Sequence, residues 1–254
     1  TSENTMENRW LSCHVNDNGT VDITHKESGI VYREAVMLED TRDIGNEYIY
    51  FKPVGEAPVL SRNAEAVISR VEDAPLRAAI RAEITMEIPV SADERLAEEI
   101  RDLVEFKNRK AGSSKETLFM TVAVTYVLER VGKGLKGEVE FDNQALEPSL
   151  RALVKTGLDT QWHYADSIFE AAKRSNSVSP VWENPCNAQH QQLFVNVHED
   201  RGGMTIANKG LNEYEILPEQ ENTIALTLHR GVRELGDWGD FPTPQAQCLG
   251  RQKK

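Results

Sequence analysis

Hydrophobic and polar residues alternate along much of the chain, and the alternation is clearest between Leu76 and Ile88. The apolar residues on one side of this segment are Leu76, Ala78, Ile80, Ala82, Ile84, Met86 and Ile88. Arginine, glutamate and threonine fill most of the positions between them. Successive side chains of a β-strand point to opposite faces, so this period of two predicts a strand with one buried and one solvated face.

Runs of β-forming residues predict further strands at Trp10–Val15, Val21–His25, Ile30–Leu38, Ala64–Val71, Thr117–Glu129, Gly137–Phe141, Leu150–Lys155, Gln192–His198, Met204–Ala207, Glu213–Leu217 and Thr223–Arg230. Turn residues separate these runs at short intervals, and the Asn-Gly pair at positions 18–19 is typical of a β-hairpin. Thr117–Glu129 is largely apolar on both faces, which indicates a strand between two layers.

One segment has helical periodicity instead. Ser91–Glu94 fits a capping box, and a stripe of Leu96, Ile100, Leu103 and Val104 follows it. We predict a short amphipathic helix within 91–106 that leads into a polar loop, with its charged residues forming a solvated face. Many strands and a single helix predict an all-β fold, a two-layer sandwich that is not divided by a linker or an internal repeat.

The segment Asp40–Pro53 combines acids, a turn and aromatic rings. Its notable residues are Asp40 and Asp43, the turn pair Gly45-Asn46, and then Tyr48, Tyr50 and Phe51. The alternating aromatics predict a strand after the turn. Carboxylates accept hydrogen bonds from hydroxyls and rings stack on the apolar faces of pyranoses, so the combination favours a sugar site. Taken alone, the segment is better explained as a surface turn that leads into an edge strand.

Three later segments are further candidates. In Gly210–Ile216, the strand period places Glu213 and Glu215 on one face and Tyr214 on the other. Trp162–Phe169 is dense in aromatic and small polar residues, and a core-and-turn role explains it equally well. Leu226–Arg230 is a strand that ends in a cation, an arrangement most often found in surface or structural ion pairs.

Composition and charge exclude several classes of protein. The chain of 254 residues has a formal net charge of −12 at pH 7, which disfavours binding to nucleic acid or to an anionic membrane surface. No apolar run approaches the length of a membrane span. The three cysteines, Cys13, Cys186 and Cys248, show neither a disulfide framework nor a metal pair, so we expect a reducing, cytoplasmic environment.

The sequence does not contain a recognisable catalytic or metal motif of its own. None of the six histidines forms a pair or a cluster with zinc-site spacing. A nucleophile elbow and a phosphate loop are also absent from the sequence. No pair of carboxylates can be assigned as acid and nucleophile from the sequence alone, because the assignment needs the distance between them.

Several motifs, in their order along the chain, resemble the C-terminal β region of the glycoside hydrolase family 38 α-mannosidases, in the bacterial branch that includes mannosylglycerate hydrolase-like enzymes. The matching segments are Asn18–Ile23, Ser28-Gly29, Asp40–Pro53, Asn143–Arg151, Ala165–Phe169, Gly210–Glu215, Leu226–Arg230 and Pro242–Cys248. Two departures stand out: Asn46 replaces the aspartate of a Gly-Asp-Glu-Tyr motif, and Pro148-Ser149 replaces a common His-Arg pair.

The resemblance implies a fold and a chemistry. The fold would be a large two-layer antiparallel super-sandwich, galactose-mutarotase-like, over residues 1–254. Family members are retaining exo-acting hydrolases that use a divalent metal, usually zinc. Their metal ligands and aspartate nucleophile lie in a preceding catalytic domain, which we expect to be missing here because the chain begins with a threonine and has no obvious ending. The resemblance therefore implies that this chain supplies no catalytic residue and binds no metal by itself.

The resemblance also implies a supporting role toward a mannose-containing substrate. Tyr48 would form part of the wall of the sugar pocket and Asp43 would hold its loop, and the later motifs extend the substrate-binding set to Tyr214 and Arg230. Alternatives are a free-standing carbohydrate-binding sandwich, or a structural domain that packs on a catalytic barrel or mediates dimers. A sugar epimerase would need a His and Glu pair that is not evident here. A truncated sandwich with an unpaired edge would also favour a homo-oligomer.

Overall fold

A computed structural model describes residues 3–179, 181, 187–236 and 245–254 of the chain. The strands, in chain order, are β1 (Thr5–Glu7), β2 (Leu11–Val15), β3 (Val21–His25), β4 (Val31–Arg42), β5 (Val59–Leu60), β6 (Glu65–Ala74), β7 (Arg77–Pro89), β8 (Thr117–Glu129), β9 (Lys136–Asn143), β10 (Pro148–Val154), β11 (Trp162–Ser167), β12 (Glu170–Ser175), β13 (Gln189–His190), β14 (Phe194–Glu199), β15 (Gly202–Ala207), β16 (Glu213–Leu217), β17 (Thr223–Arg230) and β18 (Gly250–Lys253). The α-helix of the described residues is α1 (Arg95–Arg101), and short 3-10 turns lie at Ser61–Asn63, Phe106–Asn108 and Pro218–Gln220.

The strands form three antiparallel sheets. The largest has nine strands in the order β1-β2-β3-β4-β10-β17-β16-β13, with β5 paired to β4. A five-stranded sheet has the order β18-β9-β8-β7-β6, and a four-stranded sheet has the order β12-β11-β14-β15. The predicted all-β, antiparallel architecture with one short helix is therefore confirmed for the described part of the chain.

One face of the nine-stranded sheet packs against both smaller sheets. Its first half shares a large apolar cluster with the five-stranded sheet, in which Leu38 and Leu150 meet residues such as Ile84 and Val122. Its second half shares a separate cluster with the four-stranded sheet, where Tyr214 and its neighbours meet Val195 and Val197. We call this side the core face, and the side of the nine-stranded sheet that carries Glu39 and Arg151 the polar face. The predicted two-layer sandwich is thus confirmed.

The clearest sequence pattern is reproduced by β7. Its residues from Ile80 to Ile88 on the predicted side are buried, whereas Arg77, Glu83 and Glu87 are exposed. The predicted hairpin is also present, since Val15 pairs with Val21 across the turn between β2 and β3. The prediction for β8 holds only in part, because its outward-facing Phe119 is 74% exposed.

The helix is shorter than predicted and is capped differently. Ser91 does not cap it, because its hydroxyl donates to the Ala92 carbonyl, and the Asp93 carboxylate accepts the Arg95 N–H at 3.0 Å instead. Leu103 has a positive φ of 53° and is 58% exposed, so the helix has ended before the predicted apolar stripe is complete. The predicted capping box and the placement of Leu103 on the buried stripe were therefore wrong.

Other differences concern strands that pattern alone did not show. The short strands β1, β5, β13 and β18 and the hairpin β11–β12 were not predicted as strands, and β4 continues past Leu38 to Arg42. Cys186 and the segment 242–244 lie outside the described residues. Within the described part, no helix has both the length and the apolar character needed to cross a membrane.

Candidate functional site

The chain leaves β4 into a tight turn that is organised by Asp43. One oxygen of its buried carboxylate, Oδ1, accepts the N–H groups of Gly45 at 2.8 Å and Phe51 at 3.2 Å. A side chain does not fit at Gly45, where a Cβ atom would lie 1.9 Å from the Ile49 carbonyl oxygen. We call residues 43–51 the Asp43 turn. The Asp43 carboxylate therefore ties the start of the turn to its end, and Gly45 leaves room for the Ile49 carbonyl.

Asn46 closes the middle of the Asp43 turn. Its amide oxygen accepts the N–H groups of Tyr48 and Ile49, both at 3.0 Å. Side-chain oxygens thus accept hydrogen bonds that these backbone N–H groups would otherwise donate to a neighbouring strand. The strand predicted over the aromatic residues is therefore not formed. The departure from an expected aspartate is also explained, because an amide oxygen accepts these two hydrogen bonds as a carboxylate oxygen would.

The Asp43 turn buries most of its residues and exposes Tyr48. Ile44, Asn46, Tyr50 and Phe51 are all buried, whereas Tyr48 is 78% exposed. An exposed aromatic ring on a turn with a buried, hydrogen-bonded backbone is a preorganised contact group, because its backbone position is already determined.

Arg230 ties the Asp43 turn to the end of β17. Its Nε lies 2.5 Å from Oδ2 of Asp43, and its guanidinium also donates to the backbone carbonyls of Asn46 and Glu47. A further contact of 3.4 Å joins it to the Glu213 carboxylate. The guanidinium therefore binds one strand, one turn and one buried acid at the same time.

A β-bulge in β17 determines where Arg230 points. Leu150 pairs with His229 and Arg151 pairs with Thr227, so the register shifts between these two pairs. Without the extra residue, Arg230 would lie on the same face as Leu226 and Leu228, in the core. The bulge turns Arg230 to the polar face, which is a common role of bulges beside functional sites.

A second arginine lies beside the first. Arg151 of β10 donates to Glu39 of β4 at 2.8 Å through Nε and to Glu215 of β16 at 2.5 Å through Nη1. Arg151 and Glu39 are buried, and the side chain of Glu215 is 17% exposed. Sequence reasoning placed Glu215 on a shared face with Glu213 but did not identify Arg151 or Glu39 as their neighbours.

Tyr50 connects the two arginine clusters. The guanidinium carbon of Arg151 lies 5.2 Å from the centroid of its ring and that of Arg230 lies 5.9 Å from it, both within the range of a cation–π contact. The hydroxyl group of Tyr50 is 2.8 Å from the Thr41 hydroxyl. Burial raises the pKa of the Tyr50 phenol, so this ring stays neutral between its two cationic neighbours.

The electrostatics of Asp43 depend on its partners. Burial raises the pKa of Asp43 to about 6, while Arg230 and the N–H groups of Gly45 and Phe51 act in the opposite direction. At neutral pH the group is therefore ionised and paired with Arg230. Protonation near pH 6 would remove the charge that holds the guanidinium in place.

Of the four predicted substrate-binding residues, three are brought together. Asp43 and Arg230 are in direct contact, and Tyr48 lies on the turn they hold. Tyr214 lies apart on the core face, fully buried, with its hydroxyl 2.6 Å from Nε2 of His163 and 3.0 Å from Nη1 of Arg174. That Glu213 and Tyr214 lie on opposite faces is confirmed, whereas the substrate-binding role of the four residues stays a prediction.

Two other sequence candidates also lie away from the Asp43 turn. Asp40 points to the core face and pairs with Arg42, which also donates to the Leu146 carbonyl at 2.8 Å. Trp162–Phe169 forms the first strand and the tip of the β11–β12 hairpin, in which His163 is buried and Phe169 is fully exposed. Neither segment adds a side chain to the two arginine clusters.

The described residues do not fit a divalent metal. Across residues 3–179, 181, 187–236 and 245–254, no three His, Cys, Asp or Glu side chains are arranged so that they could hold an ion. Glu39, Glu213 and Glu215 of the polar face are instead paired with arginines. The arrangement suits hydrogen bonding to a polyhydroxylated ligand, with Tyr48, Arg230 and the partly exposed Glu213 as the accessible groups.

Comparison with known proteins gives a family match along most of the chain. The model of the glycosyl hydrolases family 38 C-terminal domain matches residues 6–237. A putative mannosylglycerate hydrolase from Halalkalibacterium halodurans is 41% identical over 252 residues, which cover 99% of this chain and 28% of that protein.

Two solved structures from Enterococcus faecalis have the same fold. An α-mannosidase from strain V583 has a TM-score of 0.94 and 43% identity over 99% of this chain and 28% of its own. A glycosyl hydrolase family 38 protein has a TM-score of 0.92 and 41% identity over 99% of this chain and 29% of its own. The chain therefore spans less than a third of the length of these relatives.

Proposed function

The chain belongs to the glycosyl hydrolases family 38 C-terminal domain family, and on this premise we propose that it is the C-terminal domain of a retaining α-mannosidase. The whole enzyme would hydrolyse terminal α-D-mannose from small mannosides or oligosaccharides. The family match and the relatives from Halalkalibacterium halodurans and Enterococcus faecalis support this proposal. The structural observation that carries it is the Asp43 turn, which holds Tyr48 outward by buried contacts.

In this proposal the chain supplies scaffold and part of the wall of the sugar pocket. Tyr48 donates a hydrogen bond from its phenol to a sugar hydroxyl, and the outer edge of Arg230 lies in the same wall. Asp43 does not touch the sugar and instead positions Arg230 and the turn. For Tyr214, which is fully buried on the core face, we propose a role in holding the four-stranded sheet.

We assign the bond-breaking chemistry to another part of the whole protein. A retaining glycosidase uses one carboxylate as nucleophile and a second carboxyl group as acid and then base. The acids of the polar face are engaged by Arg230 and Arg151, so they are poor candidates for either task. The divalent metal, zinc by resemblance, would be bound in the same separate part, since the described residues offer no set of ligands for it.

Replacing Tyr48 by phenylalanine in the whole protein tests the proposal. Loss of one hydrogen bond that strengthens in the transition state costs about 1–3 kcal/mol, which corresponds to a fall in kcat/KM of about 5- to 150-fold on a chromogenic α-mannoside. Stability should not change, because the phenol is exposed. Unchanged kinetics would remove Tyr48 from the pocket wall.

Tyr32→Phe is the matched control. The Tyr32 hydroxyl donates to the Gly203 carbonyl at 3.2 Å, near the opposite end of β4 from the Asp43 turn. The substitution removes a tyrosine hydroxyl from the nine-stranded sheet without altering the polar face. We expect wild-type kcat and KM for this variant. The cytoplasmic location and a homo-oligomer stay predictions.

A further inference from the structure

The segment 91–114, which contains α1, forms a small apolar core with the Asp43 turn. We call this segment the helical insert. The cluster consists of Ile44 and Phe51 from the turn and Ala92, Leu96 and Ala111 from the insert, with Ile100 and Phe106 at its margin. Ile44 and Phe51 stand on either side of Tyr48 in sequence. The insert therefore covers both apolar anchors of the turn that carries Tyr48.

Arg109 is the polar link between the helical insert and the turn. Its Nη1 donates to the carbonyl of Ile44 and, at 3.4 Å, to that of Gly45. Its Nη2 lies 2.8 Å from the Glu234 carboxylate, and the side chains of this ion pair are 3% and 2% exposed. An arginine that binds two successive carbonyls and a buried acid leaves little freedom to the backbone just before Tyr48.

The segments that carry Arg109 and Glu234 are also held in place by other hydrogen bonds. Within the insert, the Glu99 carboxylate accepts the N–H groups of Lys110 at 2.8 Å and Ala111 at 3.1 Å, which ties α1 to the residues that follow Arg109. Beyond β17, the segment that carries Glu234 also meets the turn directly, since the Gly236 N–H donates to the Glu47 carboxylate at 2.8 Å. Contacts on Ile44, Gly45 and Glu47 thus hold the backbone that leads into Tyr48.

We propose that the helical insert sets the position of Tyr48 and that Arg109 is the positioning residue through which it acts. The inference rests on the proposed contact between Tyr48 and the sugar. The charged residues of α1 were expected to be only a solvated face, but buried Glu99 takes part in this support. Sequence changes within the insert would then adjust the pocket wall without adding a group that touches substrate.

The test compares Arg109→Gln, Arg109→Lys and Glu234→Gln in the whole protein by two independent readouts. The first is amide hydrogen exchange of the peptide 43–51, whose N–H groups at Ile44 and Asn46 bond within the turn. We expect at least about tenfold faster exchange there in Arg109→Gln and a smaller change in Arg109→Lys, which keeps the charge but not the planar fork.

The second readout is kinetics on a chromogenic α-mannoside. Displacement of a contact group by about 1 Å can cost up to a hundredfold in rate, so we expect kcat to fall about tenfold or more in Arg109→Gln with a smaller change in KM. In a Tyr48→Phe background the same substitution should add little, because the group that it positions has already lost its hydroxyl.

Asn8→Ala controls for a general loss of stability. The Asn8 amide donates to the carbonyls of Glu129 at 2.8 Å and Gly132 at 2.7 Å, away from the Asp43 turn. This variant should lower the free energy of unfolding and leave unchanged both the amide exchange at 43–51 and the kinetics on the α-mannoside. If Arg109→Gln does not fold, the two milder variants carry the test.

Two results would overturn the inference. One is unchanged exchange at 43–51 in all the Arg109 and Glu234 variants. The other is faster exchange there with unchanged kinetics, in a protein in which Tyr48→Phe is impaired. If Tyr48→Phe itself is fully active, it is the proposed function that fails, and the exchange data still show whether Arg109 holds the turn.

Discussion

The guanidinium of Arg230 lies 2.5 Å from the carboxylate of Asp43, although the two residues are 187 positions apart in the sequence. Asp43 opens the turn after β4, and Arg230 is the last residue of β17. The Asp43 side chain is fully buried and that of Arg230 is 12% exposed. The pair therefore joins the turn that presents Tyr48 to the middle of the nine-stranded sheet.

We expect Asp43 and Arg230 to be strongly coupled in stability. A double-mutant cycle with Asp43→Asn and Arg230→Gln should give an interaction energy of about 1–3 kcal/mol in the free energy of unfolding. Either single variant leaves a buried polar group without its charged partner, so the second substitution should cost less than the first. Urea unfolding of the four proteins measures the coupling.

The half-exposed pair of Arg81 and Glu140 provides the comparison. Its atoms are 3.2 Å apart on the five-stranded sheet, and the side chains are 29% and 24% exposed. Exposed pairs contribute about 0–1 kcal/mol, so the same cycle at this pair should give a smaller coupling. Equal couplings at the two sites would contradict a special role for the Asp43–Arg230 pair.

Local patterns in the sequence predicted the parts of the fold that depend on near neighbours. The alternation in β7 follows from the pleat of one strand, and the opposite orientation of Glu213 and Tyr214 follows from the same rule. The family motifs also contained Asp43 and Arg230. The two strand predictions need only the sequence of one segment each, whereas the family resemblance needs the order of several motifs along the chain.

The features that pattern reasoning missed depend on residues that are distant in sequence. The orientation of Arg230 requires the bulge in β17, which exists only in its pairing with β10. No strand forms after the turn because Asn46 accepts the N–H groups of Tyr48 and Ile49 and Asp43 accepts that of Phe51. Asp40 and Asp43 look alike in sequence, yet they point to the core face and to the Asp43 turn, respectively.

Tyr214→Phe should lower stability without changing substrate affinity. The hydroxyl of Tyr214 contacts Nε2 of the buried His163, so its removal leaves that ring nitrogen without this partner at a cost of about 1–3 kcal/mol. The guanidinium of Arg174 also contacts the hydroxyl but keeps a hydrogen bond to the His190 carbonyl. This contact joins β11 of the four-stranded sheet to β16 on the core face, away from the polar face. Thermal unfolding and KM for an α-mannoside, measured on the whole protein, check both expectations.

The half-buried Tyr164 supplies a control for Tyr214 within the same small sheet. Its ring stacks on His198 with the ring centroids 5.1 Å apart, and Tyr164→Phe keeps that stacking contact. We expect a change in the free energy of unfolding of less than about 0.5 kcal/mol. A raised KM in Tyr214→Phe with unchanged stability would instead place Tyr214 in contact with the sugar.

The 254-residue chain by itself should not hydrolyse a chromogenic α-mannoside, with or without added zinc. The acids of its polar face are paired with arginines, and the described residues contain no set of metal ligands. The whole protein under the same conditions is the positive control. Hydrolysis by the isolated chain that depends on zinc would show that catalytic groups lie within it, and our assignment of the chemistry to another part would be wrong.

His229 should make the stability of the chain depend on pH in a defined window. Its ring is buried against Phe141, with the ring centroids 5.4 Å apart, and Nε2 has no hydrogen-bond partner among the described residues. Burial lowers its pKa from 6.5 to about 4, with the charge of Lys254 acting in the same direction. Between pH 4 and pH 6.5 the unfolded chain binds more protons than the folded chain. The contribution of His229 to the free energy of unfolding is therefore complete above pH 6.5 and is lost as the pH falls toward 4.

The expected loss is about 3 kcal/mol at most, at 1.36 kcal/mol for each unit of pKa. Urea unfolding of the wild type and of His229→Gln at pH 8 and pH 5 separates the contribution of His229 from those of the other titrating groups, because the other contributions are common to both proteins. The wild type should lose more stability than the variant on going to pH 5. The exposed His14 is the control, and His14→Gln should follow the wild type at both pH values. Equal losses in the wild type and His229→Gln would mean that His229 carries its charge in the folded chain, contrary to its buried position beside Phe141.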